Sequence, residues 1–291
     1  MGIRTYKAAK DFRASLESRL SGRAVAGDMT LERLRQQVAF DRFLARLFQD
    51  PDPDFMLKGG YAMELRLRHR ARFSRDLDIA AKHEKGINDP AALLDKLRDL
   101  VSRDLGDWFA FQIAEPSMEL EGAPYAGFRF PIDARLDGRT FLKFHVDVAI
   151  GDAVLEDPVW VKSSPLLDFA GIPSVSIAML PAATHFAEKV HAYTRPRKTG
   201  VNSRVRDLID MILLLDEGLD DADAVRQALA STFQRRDTHP LPKELHPPHP
   251  TWTKPYADIA AEIGLQNTLT ADAAFQKLSE YWTQLYSKEV S

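Results

Sequence analysis

Two glycines, Gly59 and Gly60, precede two aspartates, Asp76 and Asp78, and a third, Asp147, stands in the apolar run Phe144-His145-Val146-Asp147-Val148. Asp76 and Asp78 lie two apart in the alternating segment DLDIA, and side chains at i and i+2 of a strand share one face. Carboxylates held that close repel each other and favour a cation between them. Mg²⁺ suits the pair, since it takes a few carboxylates and keeps places for substrate phosphates; Mn²⁺ is the alternative ion. A glycine pair permits a tight turn whose N–H groups can face a phosphate. Asp147 is a carboxylate amid apolar neighbours, which is unfavourable unless it is paired or metal-bound. Each piece also has a plainer reading: a turn, a solvated strand end, or a buried salt bridge from Asp147 to an arginine.

Three acids on adjacent strands would build a site for two metal ions, one activating the attacking oxygen and one holding a triphosphate. In-line displacement at phosphorus needs mainly positioning and charge neutralisation. A second constellation lies further on, in Ala187-Glu188-Lys189-Val190-His191-Ala192 and Arg206-Asp207-Leu208-Ile209-Asp210. Lys189 reads as a point charge for the β- and γ-phosphates. Asp207 and Asp210, neighbours at i and i+3 on one helix face, could orient it. The alternative is an interhelical salt bridge that fixes two domains. His145 shares the strand face of Asp147, either at the mouth of the site or as a satisfied core histidine. His239, His246 and His249 could be imagined as zinc ligands, but the prolines between them and the lack of an ordered element argue against it.

These residues need elements to hold them. Helical spacing predicts helices over residues 6–20 and 31–48, the second with Thr30 as N-cap. Phe55 to Lys58 reads as a strand entering the glycine turn, and Tyr61 to His69 as a short helix. Asp76–Ala80, Trp108–Ile113, Gly127–Ile132 and Thr140–Ile150 read as strands, with a helix over Pro90–Leu105. In the last strand Phe144, Val146, Val148 and Ile150 take one face, and His145, Asp147 and Ala149 the other. Beyond about residue 180 the pattern turns helical: Ala182–Thr194, Ser203–Leu215, Ala222–Phe233, Tyr256–Ile263 and Thr270–Tyr286. The proline- and histidine-rich stretch from Arg236 to Pro255 reads as a surface loop. The expected architecture is an α/β (α+β) fold. A small mixed-sheet core with N-terminal helices occupies residues 1–175, and a mostly helical domain follows over 176–291.

The chain of 291 residues is 45% hydrophobic and 28% charged, which suits a globular protein and excludes bulk disorder. It holds no cysteine, so disulfides, thiol nucleophiles and thiolate-bound zinc are excluded. The charged N-terminus lacks the apolar core of a signal peptide, and no stretch is apolar enough to span a bilayer. A soluble cytoplasmic protein with no membrane partner is expected. The net charge of −3 leaves nucleic-acid binding to local basic patches. Two clusters qualify: Lys58, Arg66, Arg68, Arg70, Arg72 and Arg75, and then Arg195, Arg197, Lys198, Arg204 and Arg206. A solvated face is the alternative for either.

The run Leu57-Lys58-Gly59-Gly60, the block Phe73-Ser74-Arg75-Asp76-Leu77-Asp78, the HVDV strand, the AEKVHA helix and the Arg206-Asp207…Asp210 helix occur in one order. In that order, over residues 50–215, the chain resembles the AbiEii/AbiGii toxin family of nucleotidyltransferases, within the DNA polymerase β-like superfamily. The resemblance implies metal carboxylates at Asp76, Asp78 and Asp147. It also implies nucleotide contacts at Lys58, Gly59, Gly60, Arg75, Lys189 and Arg206, with Asp207 or Asp210 completing the last motif. The family often has Thr or Ser after the glycines. Tyr61 stands there in this chain, which leaves the turn to act through its backbone N–H groups. The implied reaction moves an NMP from an NTP to an acceptor hydroxyl, expected to be a tRNA 3′ end. The implied setting is a toxin–antitoxin or phage-defence pair, with an antitoxin as protein partner. In the expected complex Arg66, Arg68, Arg70, Arg72, Arg195, Arg197 and Lys198 contact RNA phosphates. The same site could instead adenylylate a protein. A phosphodiesterase, or a non-catalytic binding module that keeps the fold, are further readings.

Overall fold

The computed structural model describes residues 5–27, 29–68, 71–81, 89–119, 126–150, 157–196 and 204–287. His69, Arg70, Arg197, Lys198 and Ser203, all named above, lie outside the described residues. The chain forms two compact units, one of residues 1–61 and 73–179 and the other of residues 62–72 and 180–291.

The first unit opens with helices α1 (Ala9–Ala26) and α2 (Leu31–Leu47). Thr30 caps α2 by accepting from the Arg33 N–H, as its residue type favours. The strands are β1 (Phe55–Lys58), β2 (Leu77–Ala81), β3 (Phe109–Ile113), β4 (Met118–Glu119), β5 (Ala126–Leu136), β6 (Arg139–Ile150), β7 (Val159–Lys162) and β8 (Ser176–Met179). Helix α3 (Gly59–Leu67) follows β1, and α4 (Pro90–Val101) follows β2. Among the described residues the strands make one mixed sheet in the order β3-β5-β6-β2-β1-β8-β7, with β4 beside β5. β2 runs parallel to β6 and β1 parallel to β8, and the other pairs are antiparallel.

Alternation along β6 buries Phe144, Val146 and Val148 on one face, where Phe40 and Phe43 of α2 meet Phe144 edge-on at 4.9 and 5.7 Å. The fully buried Arg46 of α2 forks onto Asp107 at 2.8 and 2.9 Å and reaches the Phe109 carbonyl at 2.8 Å, which fixes the start of β3. β7 and β8 were not anticipated: each has four residues, and neither alternates clearly enough to stand out. Helix α1 begins three residues later than expected and runs on to Ala26. Helix α4 ends at Val101, short of the expected Leu105.

The second unit packs α5 (Ala182–Thr194), α6 (Val205–Glu217), α7 (Ala222–Arg236), α8 (Thr253–Glu262) and α9 (Ala271–Ser287) around Phe186, Leu208, Ile212, Tyr256, Leu278 and Trp282. The stretch 236–255 runs over the surface but is tied down. It buries Leu245 and Trp252 in this core, and its backbone accepts hydrogen bonds from Tyr193 at His246 and from Trp282 at Lys243. No helix among the described residues is long and apolar enough to cross a membrane.

Candidate active site

The first unit sets four charged residues in register across four neighbouring strands. Lys58 of β1 lies opposite Asp78 of β2, Asp78 beside Asp147 of β6, and Asp147 opposite Arg129 of β5. Register partners share a face of the sheet, so two carboxylates stand side by side between two cations. Gly59 follows Lys58 at φ +67°, a left-handed conformation that disfavours a side chain. A Cβ there would lie 2.0 Å from Oδ2 of Asp78, so glycine is required twice, by the backbone and by the carboxylate seated against it. Gly60 then continues into α3.

Asp76 sits just before β2. The buried Gln36 of α2 positions it by donating from Nε2 to the carbonyls of Ser74 and Arg75, at 3.0 and 2.7 Å. His145 Nδ1 lies 3.4 Å from Asp76 Oδ1, with the imidazole 45% exposed, so His145 is at the surface of this group and not in the core. Arg75 is exposed beside it. A cavity of about 720 Å³ is bordered by Arg75, Asp76 and His145 together with Phe73 and Leu142. That volume lies within the range of small-molecule sites.

Arg129 is the member of this group that the sequence reading missed. Its Nε and Nη2 donate to the two oxygens of Asp147, each at 2.7 Å, and Nη2 lies 3.5 Å from Asp76. The hydrogen bond to Asp147 raises the guanidinium pKa against a modest burial effect, and the charges of Asp147, Asp76 and Asp78 raise it further. Asp147 thus takes the salt-bridged alternative. The signal was partly present, because Asp137-Gly138 is a two-residue hairpin turn with both φ values positive. Counting back from that turn pairs Arg129 with Val146. A bulge between Ala134 and Arg135 shifts the register by one residue and delivers Arg129 to Asp147 instead.

Tyr61 does not face a phosphate. It is 2% exposed, meets Phe40 edge-on at 4.9 Å, and donates its hydroxyl to Asp41 at 3.0 Å. It anchors the start of α3 from within. Burial pushes the Asp41 carboxyl up to about 7, against the opposing pull of Arg42 and the hydroxyls of Tyr61 and Ser163.

The second unit holds its own charged cluster. Lys189 Nζ lies 3.1 Å from Asp207 Oδ1 and 2.9 Å from Asp210 Oδ2. Arg72 forks onto Asp210 at 2.9 and 2.8 Å, and Arg204 lies 3.6 Å from Asp207. Burial pushes Asp210 up, but Lys189 and Arg72 together pull it down to about 2. Burial would lower Lys189; Asp210 and Asp207 outweigh it and the repulsion of Arg72, and raise it. The interhelical salt bridge therefore forms, linking α5 and α6 within this unit. Arg206, next to Asp207, is exposed.

Part of the expected basic surface is engaged inside the protein. Arg72 is spent on Asp210, and Arg66 donates to the Leu180 carbonyl at 2.7 Å, with burial lowering its pKa. Two of the three histidines weighed as zinc ligands are tied elsewhere. His239 bonds Thr194 and Thr238, and His249 caps Thr251.

In donor type, Asp76, Asp78 and Asp147 fit a hard divalent cation. In arrangement, Arg129 holds both oxygens of Asp147. Among the described residues no three His, Asp or Glu side chains already converge as a metal-holding group.

The chain is similar in fold to MenT4, a nucleotidyltransferase toxin from Mycobacterium tuberculosis H37Rv. They share 21% sequence identity over 96% of this chain and 95% of that one, with a TM-score of 0.55. An antigenic nucleotidyltransferase-like protein from Paracoccidioides brasiliensis matches at 14% identity over 69% of this chain and 89% of its own, with a TM-score of 0.39. No curated protein matches. The family model for the AbiEii nucleotidyltransferase toxins of type IV toxin–antitoxin systems matches residues 42–280, most of the chain, including Lys58, Asp76, Asp78, Arg129, Asp147, Lys189, Asp207 and Asp210. The chain therefore belongs to the AbiEii family of nucleotidyltransferase toxins.

Proposed function

We propose that this toxin transfers an NMP from an NTP to the 3′-terminal hydroxyl of a tRNA, with Asp76, Asp78 and Asp147 as the carboxylates of a Mg²⁺ or Mn²⁺ site. The observation that carries the reading is the row Lys58–Asp78–Asp147–Arg129 beside a glycine that Asp78 itself requires. A divalent ion bound there supplies charge neutralisation for the phosphates.

The chain's own residues do the rest. The N–H groups at Gly59 and Gly60, at the start of α3, face the negative charge of the nucleotide's phosphates. Lys58 and Arg75 add cationic charge there. In the second unit, Lys189, fixed by Asp207 and Asp210, and the exposed Arg206 are the residues that the family reading assigns to nucleotide contacts. Asp76, 3.4 Å from His145, would take the proton of the attacking hydroxyl. Arg68 and Arg195 remain as described basic residues for RNA phosphates. The antitoxin of the type IV pair is the protein partner, and the cytoplasm is the compartment where all these substrates meet.

The test is a transfer assay with Mg²⁺ and each α-³²P-labelled NTP, offering total tRNA and a protein extract as separate acceptors. Label on tRNA with the wild type, reduced at least about a hundredfold in Asp78→Ala, is the expected result. Label on protein alone would replace the acceptor by a protein hydroxyl. Equal labelling by Asp78→Ala and wild type would overturn the site.

A further inference from the structure

Arg129 meets Asp147 through both arms of its guanidinium and reaches Asp76 at 3.5 Å. It thereby supplies positive charge to two neighbouring carboxylates. Two features set it apart from a structural ion pair. First, it is partly open to water, at 29% exposure, with Asp76 at 33% and Asp147 at 13%. An exposed pair is exchanged at small loss, whereas a buried one is not. Second, the planar fork that fits a carboxylate fits a phosphate equally well. A divalent ion on Asp147 competes with the fork for the carboxylate's two oxygens and its charge, and an arginine so weakened is available to another anion.

We propose that Arg129 is an exchangeable counter-cation: it holds Asp147 until a divalent ion arrives with a nucleotide, then transfers its fork from the carboxylate to the nucleotide's phosphates. The inference rests on the metal-dependent reading above and deepens it, by naming the residue that couples the two ligands. Metal alone competes with Arg129 for Asp147 and loosens its two-armed pairing with nothing to replace it. A metal–nucleotide complex supplies the replacement, so each ligand favours the other. The idle site then keeps Asp147 neutralised and discriminates against free metal.

The proposal predicts opposite signs from one substitution. Free Mn²⁺ is titrated by electron paramagnetic resonance into wild type, Arg129→Gln and Arg135→Gln. The last removes the same charge from the same strand, where Arg135 bonds Gln112 and Gly138. A non-hydrolysable α,β-methylene triphosphate is then titrated as its Mn²⁺ complex. Arg129→Gln is expected to bind free Mn²⁺ about tenfold more tightly and the Mn²⁺–nucleotide complex about tenfold more weakly, with Arg135→Gln within about twofold of wild type in both.

If Arg129→Gln moves both constants in the same direction, or neither, the exchange is wrong. A matching effect in Arg135→Gln would reduce it to a general field effect and also overturn it. Absence of Mn²⁺ binding in wild type and all variants would remove the exchange along with the metal. Failure of the transfer reading is separately visible, as turnover that survives Asp78→Ala.

Discussion

The two charged clusters use the same chemistry in opposite surroundings. In the helical unit, Asp210 is fully buried and shared by Lys189 and Arg72, each 12% exposed. In the sheet unit no member is fully buried: Asp76 is 33% exposed, Arg129 29% and Asp147 13%. Burial makes an ion pair costly to break, because the abandoned partner cannot be solvated. Exposure makes a pair exchangeable, because water takes over. The helical cluster is a fixed joint between α5, α6 and the segment carrying Arg72, whereas the sheet cluster can trade partners without unfolding its scaffold.

The largest test of that contrast is Asp210→Ala. It takes a fully buried, shared carboxylate from two cations and leaves Lys189 with Asp207 alone, and urea unfolding should show a loss of about 3–5 kcal/mol. A loss below about 1 kcal/mol would place this cluster with the exchangeable ones. Asp210 is held down to about 2 in the fold, so its stabilisation is present above the ordinary value of 3.8 and is lost as pH falls through about 2.

Asp41 sharpens the comparison, because it is an equally buried aspartate with the opposite balance. It faces the hydroxyls of Tyr61 and Ser163 and one arginine, Arg42, that it shares with Asp107, and burial wins. With a folded pKa of about 7 against 3.8, the fold binds this proton more tightly than the unfolded chain. Stability should therefore fall as pH rises from about 4 to 7, by at most roughly 4 kcal/mol from this group, and level off above. Asp41→Asn should remove that slope while keeping an acceptor for Tyr61. An unchanged slope between pH 5 and 8 would assign it to other groups.

Gly59→Ala tests the sheet cluster through its backbone. The substitution forces a Cβ into a left-handed φ and against Asp78. A stability loss of about 1–3 kcal/mol is expected, together with loss of nucleotide transfer, since Asp78 must move. Transfer at wild-type rate would show that the seat of Asp78 is not critical.

What the sequence revealed follows the same division between local and distant causes. The alternation of β6 and the i, i+2 spacing of Asp76 and Asp78 are local, and both were legible. The pairing of Arg129 with Asp147 was hidden by a single bulged residue, since a one-residue slip redirects every side chain on the strand. Arg72 read as part of a basic surface patch, because nothing nearby in the chain shows that its partner is Asp210, 138 residues away. Tyr61 stood out as a departure from a hydroxyl-bearing family position, but its inward direction depends on Phe40 and Asp41 one helix earlier.

The smallest expected effect isolates the contrast most cleanly. Arg129→Gln breaks a two-armed ion pair with shorter contacts than those of Lys189, so contact distance alone would rank it as the more damaging change. Exposure ranks it the other way. With Arg129 removed, Asp147 and Asp76 can be neutralised by solvent and counter-ions, and glutamine retains one donor. Urea unfolding should therefore show a loss below about 1 kcal/mol, several-fold less than Asp210→Ala under identical conditions. Raising the salt concentration should shrink the Arg129 effect further while leaving the buried Asp210 effect nearly constant, because mobile ions screen only what they can approach. Equal losses from the two variants, or equal salt dependence, would mean that the sheet cluster is as fixed as the helical one.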